Sequence, residues 1–167
     1  MNSKDHDFTE FASARWLTLV RVGMTLGCSL TEAEDLAQTT LLRAYVAWKR
    51  VSKADHRDAY VSKMLVNAHR DSHRKRWRRE IPMAEVRDTS EPDTTTEFDT
   101  AEVLRRAVAS LSLGQREVVA LRYFVGLNEP EIAEALGVAR GTVKSRLSRA
   151  LEALSQSPDL ARLKEHE

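Results

Sequence analysis

Residues 128–154 constrain the fold of this chain most strongly, because they predict two short helices separated by a tight turn. Asn128 and Glu131 have the spacing of a capping box, and Pro130 is tolerated in a first helical turn. Gly137 can adopt the positive φ with which many helices end. A second helix is predicted by apolar residues at spacings of three and four, namely Val143, Leu147, Ala150, Leu151 and Leu154. The pattern is typical of a helix-turn-helix.

The polar residues of the second helix indicate what it binds. At about 100° per residue, one arc of roughly 140° away from the apolar stripe contains Gly141, Lys144, Ser145, Ser148 and Arg149. Residues 140–149 hold four positive charges and no acid. A helix-turn-helix places such a face in the major groove of DNA, where Lys and Arg reach guanine edges. A solvated helix face is the alternative, and the small residues between the charges favour DNA.

Composition limits the remaining possibilities. The 167 residues, 42% of them apolar, suffice for one domain or two small ones. No apolar run approaches the roughly 20 residues of a membrane span, so membrane insertion is not expected, and the first residues lack the order of a secretory signal. The single cysteine, Cys28, excludes an internal disulfide framework and fits the cytoplasm. With a net charge of +1, any affinity for nucleic acid has to come from local patches.

Three helices are predicted in the first half, over residues 8–26, 31–50 and 58–79, with a polar loop at 51–57. Thr31 and Glu34 have capping-box spacing at the start of the second helix. Leu42 lies outside its apolar stripe, beside Asp35 and Gln38, on a face that is a candidate docking surface for a protein. Isolated exposed apolar residues are also ordinary, so periodicity leaves this docking role open.

The third helix ends in a basic run. Residues 70–79 hold six Arg or Lys residues against one acid, and Trp77 lies inside the run. Basic side chains interleaved with an aromatic residue suit a phosphate backbone and stacking on an unpaired base, with a solvated helix end as the alternative. His69 and His73 are four residues apart, but no Cys, Asp or Glu at a suitable spacing completes a metal site.

Residues 80–100 differ sharply in composition, with seven acids and a single base, Arg87. Together with Pro82 and Pro92, this predicts a flexible acidic linker. Further helices follow from residue 101 up to the helix-turn-helix. The expected fold is therefore all-α, with two small helical domains joined by this linker and the helix-turn-helix in the C-terminal one.

The order of motifs supports a family resemblance. The strings AEDLAQTTLLRAYVAW, YVSKMLVNAHRDSHRKRW and GTVKSRLSRALEAL occur in this order around the acidic segment. The chain resembles bacterial extracytoplasmic-function (ECF) RNA polymerase sigma factors of the compact actinobacterial type, from about residue 8 to 154. The resemblance implies a region 2-like domain at 1–79, a linker at 80–100, a region 4-like domain at 101–157 and a tail at 158–167.

The resemblance also implies site residues. Contact with the clamp helices of the largest subunit of core RNA polymerase is expected from Asp35, Gln38, Leu42 and Arg43. Promoter melting is expected from the loop at 51–57 together with Asn67, Arg70, Arg74, Arg76 and Trp77. The upstream promoter element is expected to meet Arg140, Thr142, Lys144, Ser145, Ser148 and Arg149. The acidic linker is expected to pass near the polymerase active-site channel.

Two positions depart from the family pattern. Ala139 stands where a Ser often caps the recognition helix, so the first turn of that helix lacks a side-chain acceptor. Ser148 replaces an aromatic residue or His, which leaves the promoter sequence open.

The expected function is transcription initiation by an alternative sigma factor, with core polymerase and promoter DNA as partners. Anti-sigma partners are usual in the family but leave no clear mark on the sigma chain. No nucleophile–base set, paired carboxylates or phosphate-binding Gly loop is visible, so neither catalysis nor a cofactor is expected. The main alternative is a free-standing, dimeric helix-turn-helix regulator, and an enzyme with an appended DNA-binding module is a third.

Overall fold

The computed structural model describes residues 2–79 and 100–164, and within these ranges all regular structure is helical. The helices of the first half are α1 (Ser3–Thr25), α2 (Leu30–Val46), α3 (Trp48–Val51) and α4 (Arg57–Arg79). The second half holds α5 (Thr100–Ala109), α6 (Leu113–Ala120), a π-helical turn (Leu121–Val125), α7 (Glu129–Leu136), α8 (Arg140–Ser155) and α9 (Pro158–Lys164). The all-α prediction is confirmed. The predicted linker lies outside the described residues, except for Thr100, which begins α5.

The first bundle packs α1, α2 and α4 around one apolar core. Its fully buried side chains include Val22, Ala33, Val61 and Leu65. Gly23 allows α1 to approach α2 closely, because a Cβ at that position would lie 3.0 Å from the Cβ of Ala33. The side chain of Trp48 packs between this core and the first turns of α1, where its ring contacts the rings of Phe8 and Phe11.

The start of α2 differs from the prediction. The capping box is formed by Ser29 and Glu32, not by Thr31 and Glu34. The N-cap therefore lies two residues before the predicted one, and the helix ends earlier than predicted, at Val46. The short helix α3 follows because Trp48 and Val51 both turn into the core. Val51, predicted to lie in a loop, is fully buried.

Two helices of the second bundle, α6 and α7, begin with a capping box. Ser112 and Gln115 form a capping box on α6, and the predicted box of Asn128 and Glu131 on α7 is confirmed. Gly137 ends α7 with φ of 68°, as predicted. Ile132, Leu136 and Val143 are among the side chains that close the core between α7 and α8.

The two bundles pack against each other in the part of the chain that the structure describes. Val66 of α4 is 1% exposed because it is buried among apolar residues of the second bundle. In the opposite sense, Ala120 of α6 belongs to the core cluster of the first bundle. The apolar interior therefore continues from one bundle into the other.

Candidate DNA and polymerase interfaces

The face of α8 predicted to read DNA is open to solvent. Its exposed residues are Arg140, Gly141, Lys144, Ser145, Ser148 and Arg149. The helix is held from the other side by Val143 and Ala150, both fully buried. Of the predicted residues only Thr142 is half-buried. One continuous polar arc with basic ends thus remains available along α8.

Two local details shape this face. Ala139 provides no side-chain cap to α8, as the sequence predicts. Arg146, which contributes to the positive charge count of the segment, lies over α6 instead, since a Cβ at Gly114 would approach its guanidinium to 3.1 Å. Arg146 is half-buried there. It therefore connects α8 to α6 and lies away from the exposed arc.

The residues predicted to melt the promoter share α4, but their arginines are engaged with acids. Arg70 binds Glu117, Arg74 binds Asp71 at 2.9 Å, and Arg76 binds the Glu32 carboxylate. This last contact, together with the backbone amide of Ser29, lowers the pKa of Glu32. Trp77, in contrast, is 79% exposed.

The loop predicted at 51–57 is a short turn between α3 and α4 that is tied at both ends. The guanidinium of Arg57 donates to the carbonyl of Ser52 from Nη2, at 3.1 Å, and from Nε. The Nδ1 atom of His56 lies 3.1 Å from Oε1 of Glu131 on α7. The Arg57 contact closes the loop on itself, and the His56 contact holds it against the second bundle.

Glu117 is a functional candidate that sequence reasoning missed. Its side chain is 3% exposed, and both its carboxylate oxygens accept from Arg70. Burying a carboxylate without a partner costs free energy, so the ion pair with Arg70 is what allows Glu117 to be buried there. The sequence feature that could have indicated its burial is its position directly before the apolar run of Val118, Val119 and Ala120.

The predicted docking residues lie together on the outer side of α2. Asp35, Gln38, Leu42 and Arg43 are all exposed, and Leu42 is 66% exposed. Val46, one turn further along α2, is 77% exposed and extends this apolar strip. Apolar side chains at the centre with a carboxylate and a guanidinium at the edge are typical of a protein-binding surface.

His69, His73 and Cys28 are the other residues whose side chains could serve in metal or redox chemistry. No group of three or more His, Cys, Asp or Glu residues suited to a metal ion occurs within 2–79 and 100–164. The rings of His69 and His73 stack at 6.1 Å, and burial, followed by the charge of His73, lowers the pKa of His69. Burial raises the pKa of the Cys28 thiol to about 11, so it is a poor nucleophile. Among the described helices none is long and apolar enough to cross a membrane.

In a comparison with known proteins, each half of the chain matches a family model. Residues 15–79 match the family model for Sigma-70 region 2, and residues 101–154 match that for Sigma-70, region 4. The RNA polymerase sigma-E factor of Streptomyces avermitilis is 34% identical over 150 residues, which cover 90% of this chain and 84% of that protein. The chain belongs to the ECF family of RNA polymerase sigma factors.

Further similarities agree with this assignment. The ECF RNA polymerase sigma factor SigL of Mycobacterium tuberculosis is 32% identical over 152 residues, covering 88% of this sigma factor and 84% of SigL. A structure of the sigma factor RpoE in complex with the anti-sigma factor NepR, from Bartonella quintana, has a TM-score of 0.72 at 28% identity and covers 90% of this chain and 95% of RpoE. The resemblance expected from the motifs is confirmed, and with it the function as an alternative sigma factor in transcription initiation.

Proposed function

We propose that this sigma factor divides its work among three surfaces, with α2 binding core RNA polymerase, α4 melting the promoter and α8 reading the upstream promoter element. The single observation that carries the proposal is the exposed polar arc of α8, which is held in place by the buried Val143 and Ala150. It offers a major groove Lys144, Ser145, Ser148 and Arg149 on one side of a rigid helix.

The N-terminal end of α8 is assigned to the DNA backbone. Arg140 and Thr142 occupy its first turn, beside backbone amides that Ala139 does not cap. Amides at a helix N-terminus favour a phosphate, and a guanidinium adds charge attraction at the same point. This end of α8 therefore sets the register in which Lys144 and Arg149 meet base edges.

The surface of α2 is assigned to the clamp helices of the largest polymerase subunit. Leu42 supplies apolar area that no described residue of this chain covers, while Asp35, Gln38 and Arg43 supply polar contacts around it. A docking helix with an apolar centre and a polar rim fits a helical partner.

The basic end of α4 is assigned to the melted strand. Trp77 exposes most of its ring, and base stacking on such a ring stabilises single strands by about 1–3 kcal/mol per base. Asn67, Arg70, Arg74 and Arg76 lie on the same helix, where amide and guanidinium groups suit a flipped base and its phosphates.

An anti-sigma factor is a further proposed partner. The similar RpoE structure contains one, and such a regulator would meet this sigma factor in the cytoplasm, where we place its activity. The proposed mechanism gives this chain no bond-making step of its own and needs no cofactor, since the polymerase performs the chemistry.

The proposal is tested by transcription in vitro with purified core polymerase over a library of promoters. We expect run-off transcripts only when the sigma factor and core enzyme are both present. The alternative, a dimeric helix-turn-helix regulator, predicts that the protein alone occupies a symmetric duplex site as a pair in a gel shift. That result, without any transcript, would refute the proposed function.

A further inference from the structure

One carboxylate of α1, that of Asp7, is bonded to both ends of the turn between α3 and α4. Nε1 of Trp48, at the start of α3, donates to its Oδ2 atom at 3.1 Å. Nη1 of Arg57, at the start of α4, donates to its Oδ1 atom at 3.4 Å. Trp48 is 2% exposed, and a buried indole N–H costs free energy unless it finds an acceptor. The indole therefore fixes the position of the Asp7 carboxylate, and the carboxylate in turn holds Arg57.

Arg57 is the residue that closes the 51–57 loop. Its Nε and Nη2 atoms both donate to the carbonyl of Ser52, at 3.3 and 3.1 Å. Its guanidinium carbon lies 5.5 Å from the centroid of the Trp48 ring. With Asp7 on Nη1, all three nitrogen atoms of the guanidinium have an acceptor. Because a guanidinium is planar and its donors point in fixed directions, holding Nη1 also sets how Nε and Nη2 meet Ser52.

The contribution of the Asp7–Arg57 pair is local. The side chain of Arg57 is 39% exposed and that of Asp7 is 45% exposed. Ion pairs as exposed as this one contribute little to the stability of a whole protein. The main consequence of the pair is therefore the position of the loop that Arg57 closes.

The loop carries side chains into the region assigned to DNA melting. Ala54, Asp55 and His56 line a cleft together with Asn67 of α4, opposite Glu134 of α7. Asn67 is one of the residues assigned above to a flipped base. Binding contacts of this kind depend on placement to within a fraction of an ångström, so the shape of the loop affects how well a base is held.

We propose that Asp7 is a positioning residue for promoter melting, which acts through Arg57 to hold the 51–57 loop in the shape that receives an unpaired base. This inference rests on the proposed role of α4 in melting and on the expectation that the loop acts with it. Asp7 itself makes no contact with DNA in this mechanism. It precedes residues 15–79, which match Sigma-70 region 2, so the first turns of α1 add a part to the melting surface from outside the matched segment.

The first test asks whether Asp7 controls the loop in the free, full-length protein. Asp7→Asn keeps an acceptor for Trp48 and removes the charge that holds Arg57. The matched control is Asp5→Asn, since Asp5 also lies half-buried on α1 and accepts from Oη of Tyr45 at 2.8 Å. Hydrogen exchange read by mass spectrometry should be about fivefold faster over residues 49–57 in Asp7→Asn than in the control. Equal exchange in the two variants would overturn the inference.

The second test asks whether the loop shape matters to one base. Holoenzyme is titrated with single-stranded oligonucleotides that cover the melted segment of a promoter giving transcripts with core enzyme, each base being replaced in turn by an abasic site. For wild type, removing the captured base should weaken binding about tenfold. Asp7→Asn should bind the intact strand about fivefold more weakly and lose only about twofold more at that position. Asp5→Asn should reproduce the wild-type profile.

Arg57→Ala tests the same link from the loop and also serves if Asp7→Asn fails to fold. It should reduce the effect of the same abasic position, and combining it with Asp7→Asn should add almost nothing, because both substitutions break one connection. Losses that add in full, or a loss for Asp7→Asn that is equal at every abasic position, would overturn the inference and leave Asp7 a merely structural role. A wild-type profile without any sensitive base would instead refute the melting role of the loop, and the inference with it.

Discussion

The basic ends of α4 and α8 have similar compositions but opposite environments. In α8, Lys144 and Arg149 are exposed and form no ion pair with any residue that the structure describes. In α4, Arg70, Arg74 and Arg76 each bind an acid of the same chain. A basic run in the sequence therefore does not determine whether its charges are available to a ligand. Under the proposed roles, the α8 surface can meet duplex DNA directly, whereas the arginines of α4 would have to exchange intramolecular partners for DNA.

The largest expected effect comes from removing the available charges of α8. Lys144→Ala with Arg149→Ala should weaken binding of a promoter duplex by polymerase holoenzyme about 100-fold, since each base or phosphate contact contributes about 1–3 kcal/mol. Titration of holoenzyme on a duplex promoter checks this, with Arg162→Ala on α9 as a charge control that leaves affinity almost unchanged. A loss no greater than that of the control would show that α8 is not the reading helix.

A smaller effect is expected from the exposed aromatic residue of α4. Trp77→Ala should lower the yield of open complex about tenfold, because one stacked base is lost, while closed-complex formation on duplex DNA stays close to wild type. Permanganate reactivity of unpaired thymines measures melting directly. Trp77→Phe is the matched variant and should keep part of the activity. If both variants melt DNA like wild type, the proposed role of α4 in melting is wrong.

The smallest effect concerns the start of α8. Ala139→Ser should provide the missing cap and raise the free energy of unfolding by about 1 kcal/mol, without altering core polymerase binding. Chemical denaturation of the full chain measures the change, with Ala161→Ser on α9 as a control of the same chemistry. Unchanged stability would mean that the first-turn amides of α8 are already satisfied.

Local patterns predicted most of what lies within single helices. The period of apolar residues indicated α2, α4, α7 and α8, and the capping box of Asn128 with Glu131 marked the start of α7. The start of α2 was misplaced because Ser29–Glu32 and Thr31–Glu34 have the same spacing and residue types. Tertiary structure decides which pair forms the cap. Because α1 ends at Thr25 and the chain turns at Gly27 with φ of 106°, α2 begins at the earlier of the two positions.

Contacts between distant segments were not predictable from these patterns. Val66 is apolar whichever bundle buries it, and Arg70 was counted with the basic run at the end of its helix. Its partner Glu117 lies 47 positions later in the chain. A pairing over that distance leaves no periodic signal in one sequence, so the junction between the bundles emerged only from the structure.

The central claim, that docking and DNA reading belong to separate surfaces, is tested most directly by the affinity of core polymerase for two double variants. Asp35→Ala with Gln38→Ala should weaken binding of core enzyme in a pull-down about tenfold, whatever the promoter, because two polar contacts around Leu42 are lost. Lys144→Ala with Arg149→Ala should bind core enzyme like wild type. Equal core affinities for the two double variants would contradict the account.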